Sequence, residues 1–232
     1  MSFFNKFSMA ASGAAFIILG TAGISQAIEL VRNGSFEQPS VPRLDFRLLP
    51  SMPGWTLASG SQPGVGRRVG FPPSIELQNS TVGPAFNGSQ YVELDSVSVS
   101  GIYQDINTTV GQTYQLQFAF SPRPLVNDNR LNITWGGSLI DSLSANGVGL
   151  STTDWTVYTY NLLATSPITR LMFDNFNENP DTAGTLIDAV SITDIFTPLP
   201  EPTSIPEPSS ITGLSIIGTL IFGLRLKRKQ SL

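Results

Sequence analysis

The 232-residue sequence contains neither cysteine nor histidine. Without cysteine there is no disulfide, no thiolate zinc site and no cysteine nucleophile. Without histidine there is no imidazole base, which excludes a Ser-His-Asp hydrolase and every His-ligated metal site. Charge is scarce too: Asp, Glu, Lys and Arg together make up 13% of the chain, about half the usual share. Lys6 is the only lysine before the C-terminal Lys227 and Lys229, and acidic residues outnumber the arginines that lie between. The central region would repel a polyanion, so nucleic acid is excluded as a partner.

What is present is 41% hydrophobic residues with 21 glycines and 17 prolines. That mixture builds short strands joined by turns rather than long helices. The length implies one principal domain plus processing segments.

Both ends have the grammar of targeting signals. Residues 1–27 combine a positive Lys6, an apolar run from Ala10 to Leu19 and a small-x-small site at Ser25-Gln26-Ala27. This is the pattern of a signal peptide, and it predicts an exported chain whose mature part begins near Ile28. At the other end, residues 197–208 form a Pro-rich linker that can enter neither a sheet nor a helix interior. An apolar segment, Ile211–Leu224, follows, and Arg225, Lys227, Arg228 and Lys229 close the chain. Counted through Leu226 the segment is a marginal membrane-spanning helix, with the basic cluster held on the cytoplasmic side. Pro206-Glu207-Pro208, the hydrophobic segment and the basic end together resemble the PEP-CTERM sorting signal of exopolysaccharide-making bacteria. The resemblance implies passage through the export machinery and a transient anchor in the inner membrane through residues 211–226. It also implies processing by an exosortase, with the cell surface or extracellular matrix as destination. Residues 209–232 are then a sorting segment, not part of the fold.

Residues 28–196 remain as one domain. Period-two alternation recurs through it. Tyr114, Leu116, Phe118 and Phe120 share one face and Gln115 and Gln117 the other; Leu131, Ile133 and Trp135 alternate with Asn132 and Thr134. Val69–Leu77, Tyr91–Val99, Gly101–Ile106, Trp155–Leu162, Ile168–Phe173 and Leu186–Ile192 complete about eight or nine expected strands. Gly-containing breaks separate many of them, and no helical-period window appears. The expected architecture is all-β, a two-sheet antiparallel β-sandwich of jelly-roll type.

Local phrases sharpen this. In order they are Leu30-Val-Arg-Asn-Gly-Ser-Phe-Glu37, Gly54-Trp55, Asn87-Gly-Ser-Gln-Tyr-Val-Glu-Leu94, Ile102-Tyr-Gln-Asp-Ile106, Gly111-Gln-Thr-Tyr-Gln-Leu-Gln-Phe118 and Leu186-Ile-Asp-Ala-Val-Ser-Ile192. Together they resemble the galactose-binding-like β-sandwiches of carbohydrate-binding modules and plant cell-wall-associated domains. The resemblance implies a polysaccharide-binding protein without catalysis. It also implies a structural Ca²⁺ on Glu37 and Asp188, since related sandwiches place such a Glu and such an Asp on one ion. In strand alternation Leu186, Asp188, Val190 and Ile192 share a face, so a core-facing Asp188 carboxylate needs either a cation or hydrogen-bond donors. The alternative is that Asp188 accepts backbone N–H bonds and Glu37 caps a turn.

Sugars are recognised by aromatic faces together with amide, carboxylate and guanidinium groups. The candidate ligand residues are Gln115 and Gln117 opposite the aromatic row, Tyr103 beside Asp105, Arg123 in the Ser121-Pro-Arg-Pro124 turn, and Tyr158 and Tyr160 as stacking platforms. Each also has an ordinary structural role available, Arg123 as a partner for Asp128 among them. Glu76, Glu93 and Asp95 form no recognisable glycosidase pair, so no catalytic residue is expected. A surface or biofilm-matrix protein acting by protein–protein contacts is the competing function.

Overall fold

The computed structural model describes residues 28–58, 72–95, 99–178 and 182–195. The signal segment, the Pro206-Glu207-Pro208 motif and the hydrophobic tail lie outside these residues, as do 69–71 and 96–98 of two expected strands.

The described residues contain twelve strands and no helix. They are β1 (Asp45–Leu49), β2 (Ser51–Met52), β3 (Trp55–Leu57), β4 (Ile75–Asn79), β5 (Tyr91–Glu93), β6 (Gly101–Asn107), β7 (Thr113–Ser121), β8 (Asn129–Trp135), β9 (Ser138–Ala145), β10 (Thr156–Leu163), β11 (Ile168–Asn175) and β12 (Leu186–Asp194). They form two six-stranded sheets, ordered β1-β4-β5-β12-β7-β10 and β2-β3-β6-β11-β8-β9. Every strand pairing is antiparallel. The chain crosses repeatedly from one sheet to the other, and the first sheet is complete only when the last strand enters between β5 and β7.

Inward-facing side chains of both sheets make the core. Tyr114, Leu116, Phe118 and Phe120 of β7 point in, as their spacing dictates. Phe118 meets Phe173 of the opposite sheet edge-on at 4.9 Å, and Trp55 lies 5.4 Å from Phe36 and 6.1 Å from Phe173. Trp135 packs 6.3 Å from Tyr114 and donates its Nε1–H to Leu163 O at 3.0 Å. Each fully buried large side chain stabilises the fold by about 1.5–3 kcal/mol, and an aromatic pair adds about 0.5–1.5.

The chain enters and leaves the sandwich at one place. Glu29 bridges to Thr193, Leu30 N donates to Ile192 O at 2.9 Å, and Ile192 N donates to the Glu29 carboxylate at 3.0 Å.

Two expectations need correcting. Leu186, Asp188, Val190 and Ile192 do not share a face, because the pairing of β12 with β7 shifts between Asp188 and Ser191. Ala189 within that bulge has φ 51°. Ile187 opposite Phe120 and Ile192 opposite Leu116 face the core, whereas Asp188 lies opposite Ala119 on the outer face. The extra residue of a bulge reverses the alternation that the sequence pattern assumes. Second, Tyr158 and Tyr160 are not platforms on the glutamine face. β10 pairs with β7 so that Tyr158 opposes Phe118 and Tyr160 opposes Leu116, which turns both tyrosines inward. Their rings stack near Phe118 at 5.7 and 6.2 Å.

Candidate ligand face on the outer side of the first sheet

The outer side of the sheet β1-β4-β5-β12-β7-β10 carries two kinds of polar surface. Across β7, β10 and the end of β12 it is open. Gln115 and Gln117 stand there in register with Asn161 and Thr159, and with Thr193 and Ser191 on the other side. Over β4 and β5 it is covered, and the side chains are buried.

In the covered part Glu76 and Glu93 are direct cross-strand partners, as are Gln78 and Tyr91. The Gln78 amide donates to both carboxylates, at 2.6 Å to Glu76 and in a close contact to Glu93. Arg123 also reaches Glu93, and Gly184 N donates to its other oxygen at 2.9 Å. Thr81 Oγ1 donates to the Gln78 side-chain amide oxygen, while Val82 N donates to the Tyr91 hydroxyl at 3.2 Å. Burial pushes the Glu93 carboxyl up to about 8; the Arg123 guanidinium pulls against this and Glu76 adds to it. Burial also raises the Tyr91 hydroxyl. This network sits in low dielectric, where each satisfied bond counts for more and each broken one costs more. Sequence reasoning missed it, since the two acids meet through strand register and no short motif marks them.

Asp188 and Glu37 both hold the segment from Phe86 to Gln90. Asp188 accepts from Phe86 N and Asn87 N, each at 2.9 Å, and from Ala189 N at 2.6 Å. Glu37 accepts from Ser89 N at 2.8 Å, Gln90 N at 2.9 Å and Ser89 Oγ at 2.9 Å. Burial pushes the Asp188 carboxyl up to about 7, its three N–H donors oppose this and Glu37 reinforces it. The expected pair thus does converge on one segment. Its arrangement does not fit calcium, which takes six to eight oxygen ligands: the surrounding groups are donors. Among the described residues no three Asp, Glu, His or Cys side chains are grouped to hold a metal.

Where this segment passes the bulge of β12, a cleft of about 340 Å³ opens. Phe86, Asn87, Gln117, Ser191, Ser35 and Glu29 line it, and Phe86 is 48% exposed. Phe86 is propped edge-on by Trp155 at 6.5 Å, and Trp155 in turn meets Tyr91 at 5.6 Å. Glu29 is fixed by bonds from Val31 N, Ile192 N and Ser191 Oγ. Gly34 makes room for the wall: a Cβ there would sit 1.9 Å from Val190 O, and Val190 N donates to Gly34 O at 2.9 Å.

The expected ligand residues therefore fall in four places. Gln117 lines the cleft and Gln115 lies farther along the same open face. Arg123 belongs to the covered network and pairs with Glu93, while Asp128 pairs with Arg130 at 2.9 Å. Tyr103 is on the outer side of the other sheet, where the Arg170 guanidinium lies 3.6 Å from its ring centroid and makes two bonds to Asp105, at 2.7 and 2.9 Å. That ion pair holds the Asp105 carboxyl below its ordinary range. Tyr158 and Tyr160 turn inward, partly buried against the core, and the Tyr160 hydroxyl donates to Asp141 at 2.8 Å. Phe86 and Asn87, which complete the cleft, lie in the loop before β5, where the sequence shows the Asn87-Gly88 break but no pattern that marks a ligand site.

The fold and this face define a two-sheet antiparallel β-sandwich with a polar, partly aromatic outer cleft. Residues 29–193 match the family described as Protein of unknown function (DUF642), and the chain belongs to that family. Solved structures similar to it include TmCBM61 in complex with beta-1,4-galactotriose, at 13% identity and TM-score 0.46, covering 72% of this chain and 99% of that one. A CBM35 from Paenibacillus barcinonensis is 19% identical at TM-score 0.38, covering 66% and 99%. The enzymatically active domain of the bacteriophage CBA120 tailspike protein 4 is 18% identical at TM-score 0.43, over 72% of this chain; the chain spans only 22% of that protein's length. No curated protein matches the sequence.

Proposed function

We propose that this is an exported, non-enzymatic protein that binds polysaccharide in the cleft beside the β12 bulge. The observation that carries the reading is the half-exposed Phe86 ring set among Asn87, Gln117, Ser191 and Glu29. An apolar ring face accepts sugar C–H groups while amides, a hydroxyl and a carboxylate meet the hydroxyls, and Trp155 holds the ring in place beforehand. Gln115, Thr159 and Asn161 extend the same face and give a longer chain further hydrogen-bonding groups. Delivery is part of the proposal: the signal peptide exports the chain and the PEP-CTERM-type tail holds it briefly at the inner membrane. An exosortase then releases it to the surface or matrix.

A glycan array probed with the purified protein and with Phe86→Ala tests this reading. Saturable binding that falls at least tenfold in Phe86→Ala, with the fold retained, supports it. A folded protein that binds no glycan overturns it. The competing matrix-protein reading is favoured by one observation, the exposed apolar residues of the β10 edge.

A further inference from the structure

β10 ends its sheet: among the described residues β7 pairs with one side of it and no strand with the other. An unpaired edge presents a row of N–H and C=O groups to any strand of matching shape, and proteins ordinarily blunt it with Lys, Pro or a bulge. β10 has none of these, and the Leu163 carbonyl at its end, which accepts from Trp135 Nε1–H at 3.0 Å, keeps a second lone pair. Thr156–Leu163 is an eight-residue strand, TVYTYNLL, with no charge, no proline and an unbroken register against β7. Its outward side chains are Val157, Thr159, Asn161 and Leu163, and both apolar ones are exposed, Val157 by 43% and Leu163 by 55%.

We infer that β10 pairs with β10 of a second copy of this chain, antiparallel about a two-fold axis at Tyr160. The sequence is self-complementary about that residue. With Tyr160 opposite Tyr160 of the second copy, Val157 lies opposite Leu163 on the outer face, twice over by symmetry. Thr159 then lies opposite Asn161, and Tyr158 opposite Leu162 on the inner side. Directly opposed side chains in an antiparallel pair are in contact, so this one register covers both exposed apolar residues of the strand and matches hydroxyl with amide. Centring the axis on Thr159 instead would set Val157 against Asn161 and leave Leu163 without a partner in the eight-residue strand. The interface is isologous and therefore closes at two copies. It joins the two sheets edge to edge into one of twelve strands. The inference is independent of sugar binding.

The absence of cysteine makes the test direct, because any disulfide must come from introduced residues. Full-length Thr159→Cys and Asn161→Cys proteins, in detergent, are oxidised separately and as a mixture, and disulfide-linked dimer is read on a non-reducing gel. The dimer is expected chiefly in the mixture, since Thr159 opposes Asn161 across the seam and the like positions are diagonal and out of disulfide reach. Dimer formed equally well by either protein alone, or by none, overturns the register and the inference. Sedimentation of uncrosslinked protein gives the second readout. Val157→Lys should shift the wild-type dimer to monomer and Val157→Lys/Leu163→Glu should restore it, through a cross-strand ion pair. A wild-type protein that stays monomeric at its solubility limit, or a dimer that survives Val157→Lys, rejects the pairing. Both substitutions sit at exposed positions, and an unchanged circular dichroism spectrum shows that the fold is kept.

Discussion

Replacing Glu93 with glutamine should change the shape of the pH–stability profile, not only its height. Glu93 is fully buried between Glu76 and Arg123, and burial lifts its carboxyl from the ordinary 4.5 to about 8. Its contribution is therefore fully present below pH 4.5. Between pH 4.5 and about 8 the native protein keeps a proton that the unfolded chain has released. Stability falls through that window by about 1.4 kcal/mol per pH unit, an accumulated loss on the order of 5 kcal/mol. Against a total of about 5–15 kcal/mol for a natural domain this is a large share. Glu93→Gln abolishes the titration. Its amide cannot accept from Gln78, Arg123 and Gly184 together, so it carries a pH-independent cost of about 1–3 kcal/mol. Wild type should then be the more stable protein at pH 5 and the less stable one at pH 8.5. Urea unfolding of both proteins at half-unit steps from pH 5 to 9 measures the difference directly, and the Asp188 titration cancels because both carry it. Parallel profiles across the range would falsify the reasoning.

Three further outcomes follow from the geometry. Gly34→Ala should destabilise by more than about 2 kcal/mol in thermal unfolding, because the added Cβ meets the Val190 carbonyl oxygen at 1.9 Å and that oxygen belongs to the backbone; a change under half that size counts against the described close approach. Asp188→Ala should cost about 2–4 kcal/mol by leaving the N–H groups of Phe86 and Asn87 without their acceptor, and should speed proteolysis within residues 86–90; an unaltered cleavage rate refutes the clamp. Calcium and chelator should leave the unfolding midpoint unchanged, since the oxygens of Glu37 and Asp188 already face donors; a calcium-dependent rise of several degrees would restore the metal reading.

The parts of the fold legible in the sequence are those where burial alternates without interruption. Tyr114 to Phe120 and Leu131 to Trp135 show their inward faces directly, and those strands form as expected. β9 was missed because Leu139 and Ile140 are adjacent and serines fill the alternate places; its register against β8 also shifts beside Ile133. β1 was missed because it buries no residue fully. At Asp188 the residue type was informative and the face was not: a polar residue in an apolar strand marked something unusual, but the bulge that moved it outward carries no glycine to announce it. The Glu76–Glu93 network is illegible for a different reason. Cross-strand neighbours are set by register, and register follows from the whole sheet rather than from either strand.

The meeting of Glu29 with Thr193 makes the domain an insert in its own polypeptide. A chain that begins and finishes at one point need not be covalently open there: the two ends could be joined by a few residues and a new opening made at the Gly136-Gly137 turn, with every strand pairing retained. The same property lets the sandwich be set into a surface loop of a host protein without prising that loop apart. Segments attached upstream and downstream both start from that one point.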